Sequence, residues 1–166
     1  MKILVGNNRL MNPGGSETYT YAIVKELVEC GHAVTCITSD SSGMVSDKIR
    51  ELNVPIKFNF SFEKYDVALL SHSTSIKLSE NVQAFKIQTC HGVFPKLEQP
   101  VKGMDAYVAI SEEVQQHLAS KGINSTIIRN GIDCSRFKPE ILINEKLQNV
   151  LSLAHSDNVN EMLVKA

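Results

Sequence analysis

Four stretches of the chain join residue types that can do chemistry. In "MNPGGSETY", residues 11–19, Gly14 and Gly15 stand just ahead of Ser16 and Glu17. Amides at a helix start point outward into partial positive charge, so they can hold an anion such as phosphate. Glycine lets a ligand approach them closely and admits backbone conformations closed to other residues. A tight turn without a ligand is the plainer reading of the same residues. No Lys-Ser or Lys-Thr follows, so the stretch is not a Walker A loop, and it lacks the GxGxxG spacing of dinucleotide sites. Glu17 reads as a dipole-compensating surface residue, or as a contact for a bound hydroxyl or ammonium group.

The second stretch joins Cys90, His91 and Gly92. His91 can donate a hydrogen bond or shuttle a proton near neutral pH, and Gly92 would leave its backbone carbonyl accessible. A satisfied structural histidine is the alternative. Cys90 and His91 alternate along a strand, so they should not form a thiolate pair. His72, in the third stretch, lacks a neighbouring glycine and reads as a rim residue or a secondary contact rather than a catalyst. Arg129, Asn130 and Gly131 form the fourth. Asn130-Gly131 suits a left-handed bend, and Arg129 is available to an anion.

Seven short β-rich runs punctuate the chain: "KILVG", "AVTCITS", "IKFNF", "YDVALLS", "FKIQTCHG", "AYVAIS" and "STIIRNG". Most are apolar on successive residues, as strands covered on both faces tend to be. Helical spacing lies between them. Residues 16–30 place Tyr19, Ala22, Ile23 and Leu27 on one stripe ahead of Gly31. Over 112–121, Ser111 caps, Glu112 and Glu113 meet the positive end, Val114 and Leu118 share a face, and Lys121-Gly122 closes the helix. Alternation of this kind predicts an α/β fold: a Rossmann-like, doubly wound, mainly parallel sheet with helices on both faces. In such sheets ligands bind beyond the carboxyl ends of the strands. That rim gathers Gly14 to Glu17, His72, His91, Gly92, Ser111, Arg129 and Asn130, while Gly31, His32, Asn53, Pro55 and Lys64 on the other rim look like connectors.

The chain's 166 residues, 43% of them hydrophobic, suffice for one buried core. Seventeen basic against eighteen acidic side chains leave a net charge of −1, without the basic excess of a nucleic-acid surface. Cys30, Cys36, Cys90 and Cys134 show no CxxC spacing, which favours reduced thiols over a disulfide framework or zinc site and points to the cytoplasm. The first apolar run is too short for a signal peptide, and none reaches the ~20 residues of a membrane span. Peripheral contact with the inner face of a membrane stays open.

The ordered set "GGSE", "CHG", "AISEEVQQHL" and "IIRNGIDCSRFKP" resembles the N-terminal domain of retaining family 4 glycosyltransferases of the GT-B fold. Asn130, Gly131, Asp133, Phe137 and Pro139 match that family's NG-x-D-x-x-x-F-x-P pattern. The resemblance spans nearly all of residues 1–148 and implies an enzyme that moves a sugar from a nucleotide-diphosphate donor to an acceptor hydroxyl, saccharide or glycolipid, without a metal or other cofactor. It places Gly14, Gly15 and Ser16 against the diphosphate or acceptor and His91 by the transferring sugar. Ser111 and Asn130, with Arg129 beside them, would shape the cleft wall. It also implies a donor-binding second domain: residues 149–166 read either as that domain's linker, first strand and helix, or as a helix packing back on the first domain. The pattern departs from the family at "LAHSDNVNEML", where such enzymes often carry a glycine, an arginine and a Lys-Gly turn. The isolated chain is therefore expected to fold and to bind acceptor weakly without turnover. Two rivals remain: a non-catalytic anion-binding module of the same fold class, and a dehydrogenase that would use Asp40, after the second strand, to hold a ribose.

Overall fold

A computed structural model describes residues 1–59, 62–132 and 134. Residues Met1–Gly131 form one compact unit; of the second, Ile132–Ala166, only the exposed Ile132 and Cys134 are described. The expected boundary at 148/149, the segment 149–166 and the motif residues Asp133, Phe137 and Pro139 lie outside the described residues.

All seven apolar runs form strands: β1 (Lys2–Gly6), β2 (Ala33–Ile37), β3 (Ile56–Lys57), β4 (Glu63–Leu70), β5 (Val82–Cys90), β6 (Ala106–Ala109) and β7 (Thr126–Ile127). They build one sheet in the order β3-β2-β1-β4-β5-β6-β7, with every pair parallel. The helices are α1 (Gly15–Glu29), α2 (Met44–Glu51), α3 (Ser73–Leu78) and α4 (Glu112–Ser120), with a 3-10 turn at Lys96–Glu98.

Side-chain alternation along each strand assigns the helices to faces. Ile3, Val5, Val34 and Cys36 pack against Val24 of α1 and against Val45 and Ile49 of α2. Leu4, Ile37, Ala68 and Leu70 meet Ile76 of α3 on the other face. Leu70 is in register with Gln88, and Cys90, two residues on, shares that side and packs under Val114 and Leu118 of α4. The fold is thus a Rossmann-like, doubly wound α/β sheet.

Two helix ends behave as the sequence predicts. Ser111 Oγ accepts from Val114 N–H at 3.3 Å to cap α4, and Gly31 and Gly122, with φ of 79° and 73°, follow α1 and α4 in the left-handed conformation. The α1 stripe is displaced by one residue from its expected place. Thr20 and Val24 are its buried positions, and Ala22 is exposed. A threonine takes a core position because Asn7 meets its hydroxyl there. The bend expected at Asn130-Gly131 is not left-handed, since neither residue has positive φ.

Candidate functional site

The strand order reverses between β1 and β4, because β1 leads outward to β2 and β3 while β4 starts the run in the opposite direction. A cleft opens at such a switch point beyond the carboxyl ends, where neighbouring connections diverge. Asn7, Asn8, Ser71 and His72 follow those two strands, and His91 and Gly92 follow β5 beside them.

Asn7 continues the side of β1 that carries Ile3 and Val5, so it faces α1 and is fully buried. Its Nδ2 donates to Ser16 O at 2.9 Å and to Thr20 Oγ1 at 2.8 Å, tying the first turn of α1 to the end of β1. A carbonyl only accepts, so Ser16 O fixes which way the amide points. Its Oδ1 is left buried without a partner among the described residues.

Gly14 is the N-cap of α1, extended at φ −123° and ψ 176°, and no side chain caps the helix. Neither Gly14 nor Gly15 has positive φ, so the expected use of glycine's wider backbone range is not made here. Close approach is. A Cβ on Gly14 would collide with the Glu17 carboxylate, which folds back over the turn and accepts from Ser16 Oγ at 3.0 Å. The amides of Gly15, Ser16 and Glu17 precede the first intrahelical bond, from Thr18 N–H to Gly14 O, and Glu17 sets its own negative charge beside them.

His91 packs edge-on against Tyr19 of α1, with ring centroids 4.8 Å apart at 76°, and lies 6.3 Å from the His72 ring at 22°. Its Nε2 is 3.4 Å from Ser71 Oγ. Burial, reinforced by His72, pushes the His91 pKa down to about 4. A pKa that low keeps the ring neutral at pH 7, with one nitrogen to donate and one to accept a hydrogen bond.

His72 lies on this rim but is buried in it. It is 6% exposed, and its Nδ1 accepts from Asn8 N–H at 3.4 Å. Burial lowers its pKa against the opposing pull of Glu17, so the neutral ring carries its proton on Nε2. That atom lies 3.9 Å from Glu98 Oε1.

Glu98 explains Gly92. A Cβ there would stand 2.5 Å from Glu98 Oε2 and 3.3 Å from Pro95 Cδ, so glycine is what admits the carboxylate to the cleft. Burial raises the Glu98 pKa. The turn bearing it is fixed from behind. The fully buried Gln88 donates from Nε2 to Gln99 O at 3.0 Å and accepts at Oε1 from Val101 N–H at 2.8 Å. Gln99 Oε1 in turn lies within hydrogen-bonding reach of His117 and Lys121 of the α4 region. Cys90 projects to the opposite face, its thiol pushed up to about 11 chiefly by burial, and takes no part.

The switch point thus gathers Gly14, Gly15, Ser16, Glu17, His72, His91 and Gly92. Ser111 and Arg129-Asn130 follow β6 and β7, one and two strands beyond β5, and among the described residues no side-chain hydrogen bond or ring contact joins them to that group. Ser111 is engaged in capping α4, Arg129 pairs with Glu112 in that helix's exposed first turn, and Asn130 is exposed. Asp40 accepts from Ser42 N–H at 3.0 Å and from Ser42 Oγ at 2.7 Å, which closes its own turn and weighs against a ribose role. Asn7, Ser71, Tyr19 and Glu98 are site residues that sequence reasoning missed. Asn7 alone carried a signal, as the next inward position after Ile3 and Val5. Among the described residues no group of three or more His, Cys, Asp or Glu is placed to hold a metal, and no helix is long and apolar enough to cross a membrane. No protein-family model matches the chain, and no curated protein does.

Proposed function

We propose that this chain is the acceptor-side half of a retaining glycosyltransferase that moves a sugar from a nucleotide diphosphate to an acceptor hydroxyl. The observation that carries the reading is the convergence, at one switch point, of an uncapped helix start with a buried and a half-buried histidine, His72 and His91, both with lowered pKa. The amides of Gly15, Ser16 and Glu17 are suited to the negative charge that grows on a leaving diphosphate, since they are fixed before the reaction and need no reorganisation. His91, neutral and braced by Tyr19, is suited to hydrogen bonding with the transferring sugar. Glu17 would swing aside when a diphosphate arrives, so Glu17→Gln is expected to tighten diphosphate binding.

Calorimetric titration of the chain with a nucleoside diphosphate, its sugar conjugate, inorganic phosphate and free sugars tests the reading. Binding that depends on the sugar supports it. The uncapped start of α1 also favours a second reading, a non-catalytic anion-binding module; phosphate binding indifferent to any sugar would select that one. The chain alone is expected to show no turnover, and measurable transfer by it would overturn the division into halves.

A further inference from the structure

We propose that Glu98 and His72 hold one substrate sugar hydroxyl between them, the hydroxyl accepting from His72 Nε2–H and donating to a Glu98 carboxylate oxygen. The inference rests on the transferase reading and adds to it a side chain and a bonding pattern.

The two facing atoms stand 3.9 Å apart, too far to bond each other. An oxygen about 2.8 Å from each would see them at an angle of about 90°, near the spread of a hydroxyl's donor and acceptor directions. His72 presents Nε2–H because Asn8 already occupies Nδ1. Its side chain is only 8% exposed and that of Glu98 19%, yet Nε2–H and the carboxylate make no hydrogen bond to any described residue. Their remaining exposure leaves these bonding positions open to a ligand. The fold fixes them in place: Gly92 clears room for the carboxylate, and Gln88 anchors the backbone just beyond it.

The pattern also selects the ligand's chemistry. A phosphate diester only accepts, and the Glu98 carboxylate would repel any phosphate. An ammonium only donates, which leaves the neutral ring's Nε2–H without an acceptor. A hydroxyl does both.

The full chain is titrated with UDP-glucose, UDP and methyl glucoside, the last standing in for an acceptor, while histidine nitrogen resonances are followed. In the wild type, sugar is expected to shift the His72 Nε2 signal. Glu98→Gln should weaken binding of UDP-glucose or of methyl glucoside about tenfold and leave UDP within about twofold. Whichever sugar is affected identifies the donor or the acceptor as the occupant. Glu98→Asp keeps the charge but withdraws it by one methylene, and should weaken the same sugar; it also decides the matter if Glu98→Gln does not fold. Sugar binding unchanged in both variants would overturn the clamp and leave the transferase reading standing. Failure of the wild type to bind any sugar, with or without binding UDP, would overturn both.

Discussion

The two edges of the sheet treat their polar groups in opposite ways. At the amino edge most are matched, although Ser125 Oγ, just ahead of β7, is buried without a partner among the described residues. Asp66 accepts from Lys2 N–H at 2.7 Å, Asp105 accepts from Lys86 N–H at 2.7 Å, and Glu63 takes Lys57 at 2.5 Å and the Tyr65 hydroxyl at 3.1 Å. An open recess lies there, lined by Lys64, Tyr65, Asp66, Phe85 and Asp105, but its carboxylates are already engaged with the backbone. At the carboxyl edge the matching stops short. Asn7 Oδ1 is buried without a partner, and His72 Nε2–H, the Glu98 carboxylate and the first amides of α1, which keep some solvent access, make no side-chain hydrogen bond among the described residues. Native folds pair nearly all buried polar groups, so the unmatched Asn7 Oδ1 and the open bonding positions of His72 and Glu98 beside it distinguish the carboxyl edge.

Substitutions can break or sharpen that contrast. The largest effect is expected from Asn7→Asp, which sets a carboxylate against the Ser16 carbonyl in a fully buried position. Urea unfolding at pH 7 should show a loss of about 3 kcal/mol or more. Asp66→Asn at the exposed amino edge should stay within about 0.5 kcal/mol of wild type. Equal losses would erase the difference between the edges.

Next comes pH. Burial pushes the His91 pKa down to about 4 from the ordinary 6.5 of the unfolded chain, so between those values the unfolded chain binds the extra proton. Its contribution is fully present above pH 6.5 and falls away as pH drops toward 4, by about 3 kcal/mol across that window. His91→Gln should flatten the stability curve there. The raised Glu98 carboxyl has the opposite sign, its burial cost appearing as pH rises through its folded pKa. Glu98→Gln is therefore expected to raise Tm slightly at pH 7 and not near pH 4, which would make a residue proposed for binding a small liability for folding. The smallest effect belongs to Glu63→Gln at the amino edge, where a shift in Tm should be hard to detect at any salt concentration.

The strands were legible because two-sided burial writes itself as consecutive apolar residues, and "YDVALLS" and "AYVAIS" needed nothing else. The helix α4 was legible from its cap. The α1 stripe was misplaced because Thr20 is buried by a hydrogen bond to Asn7, which hydrophobic periodicity does not record. The short helices α2 and α3 were not delimited for a similar reason, since serines as well as aliphatic residues fill their buried positions. Within the site, the glycines and histidines stood out by type. Glu98 did not, because in "GVFPKLEQP" it reads as one more charge on a loop, and only the approach to Gly92 and His72 sets it apart. Asp40 looked suitable by position, and its engagement with Ser42 became visible only in three dimensions.

Gln88 behaves as a substitute strand partner, one side chain offering a donor and an acceptor to passing backbone as a ladder neighbour would. Residues 92–98 therefore hang between two firm supports, the end of β5 and this amide staple, much as a replaceable blade sits in a fixed handle. Exchanging that blade for others of equal span would change the side chains that face the cleft while the sheet behind it stays as it is.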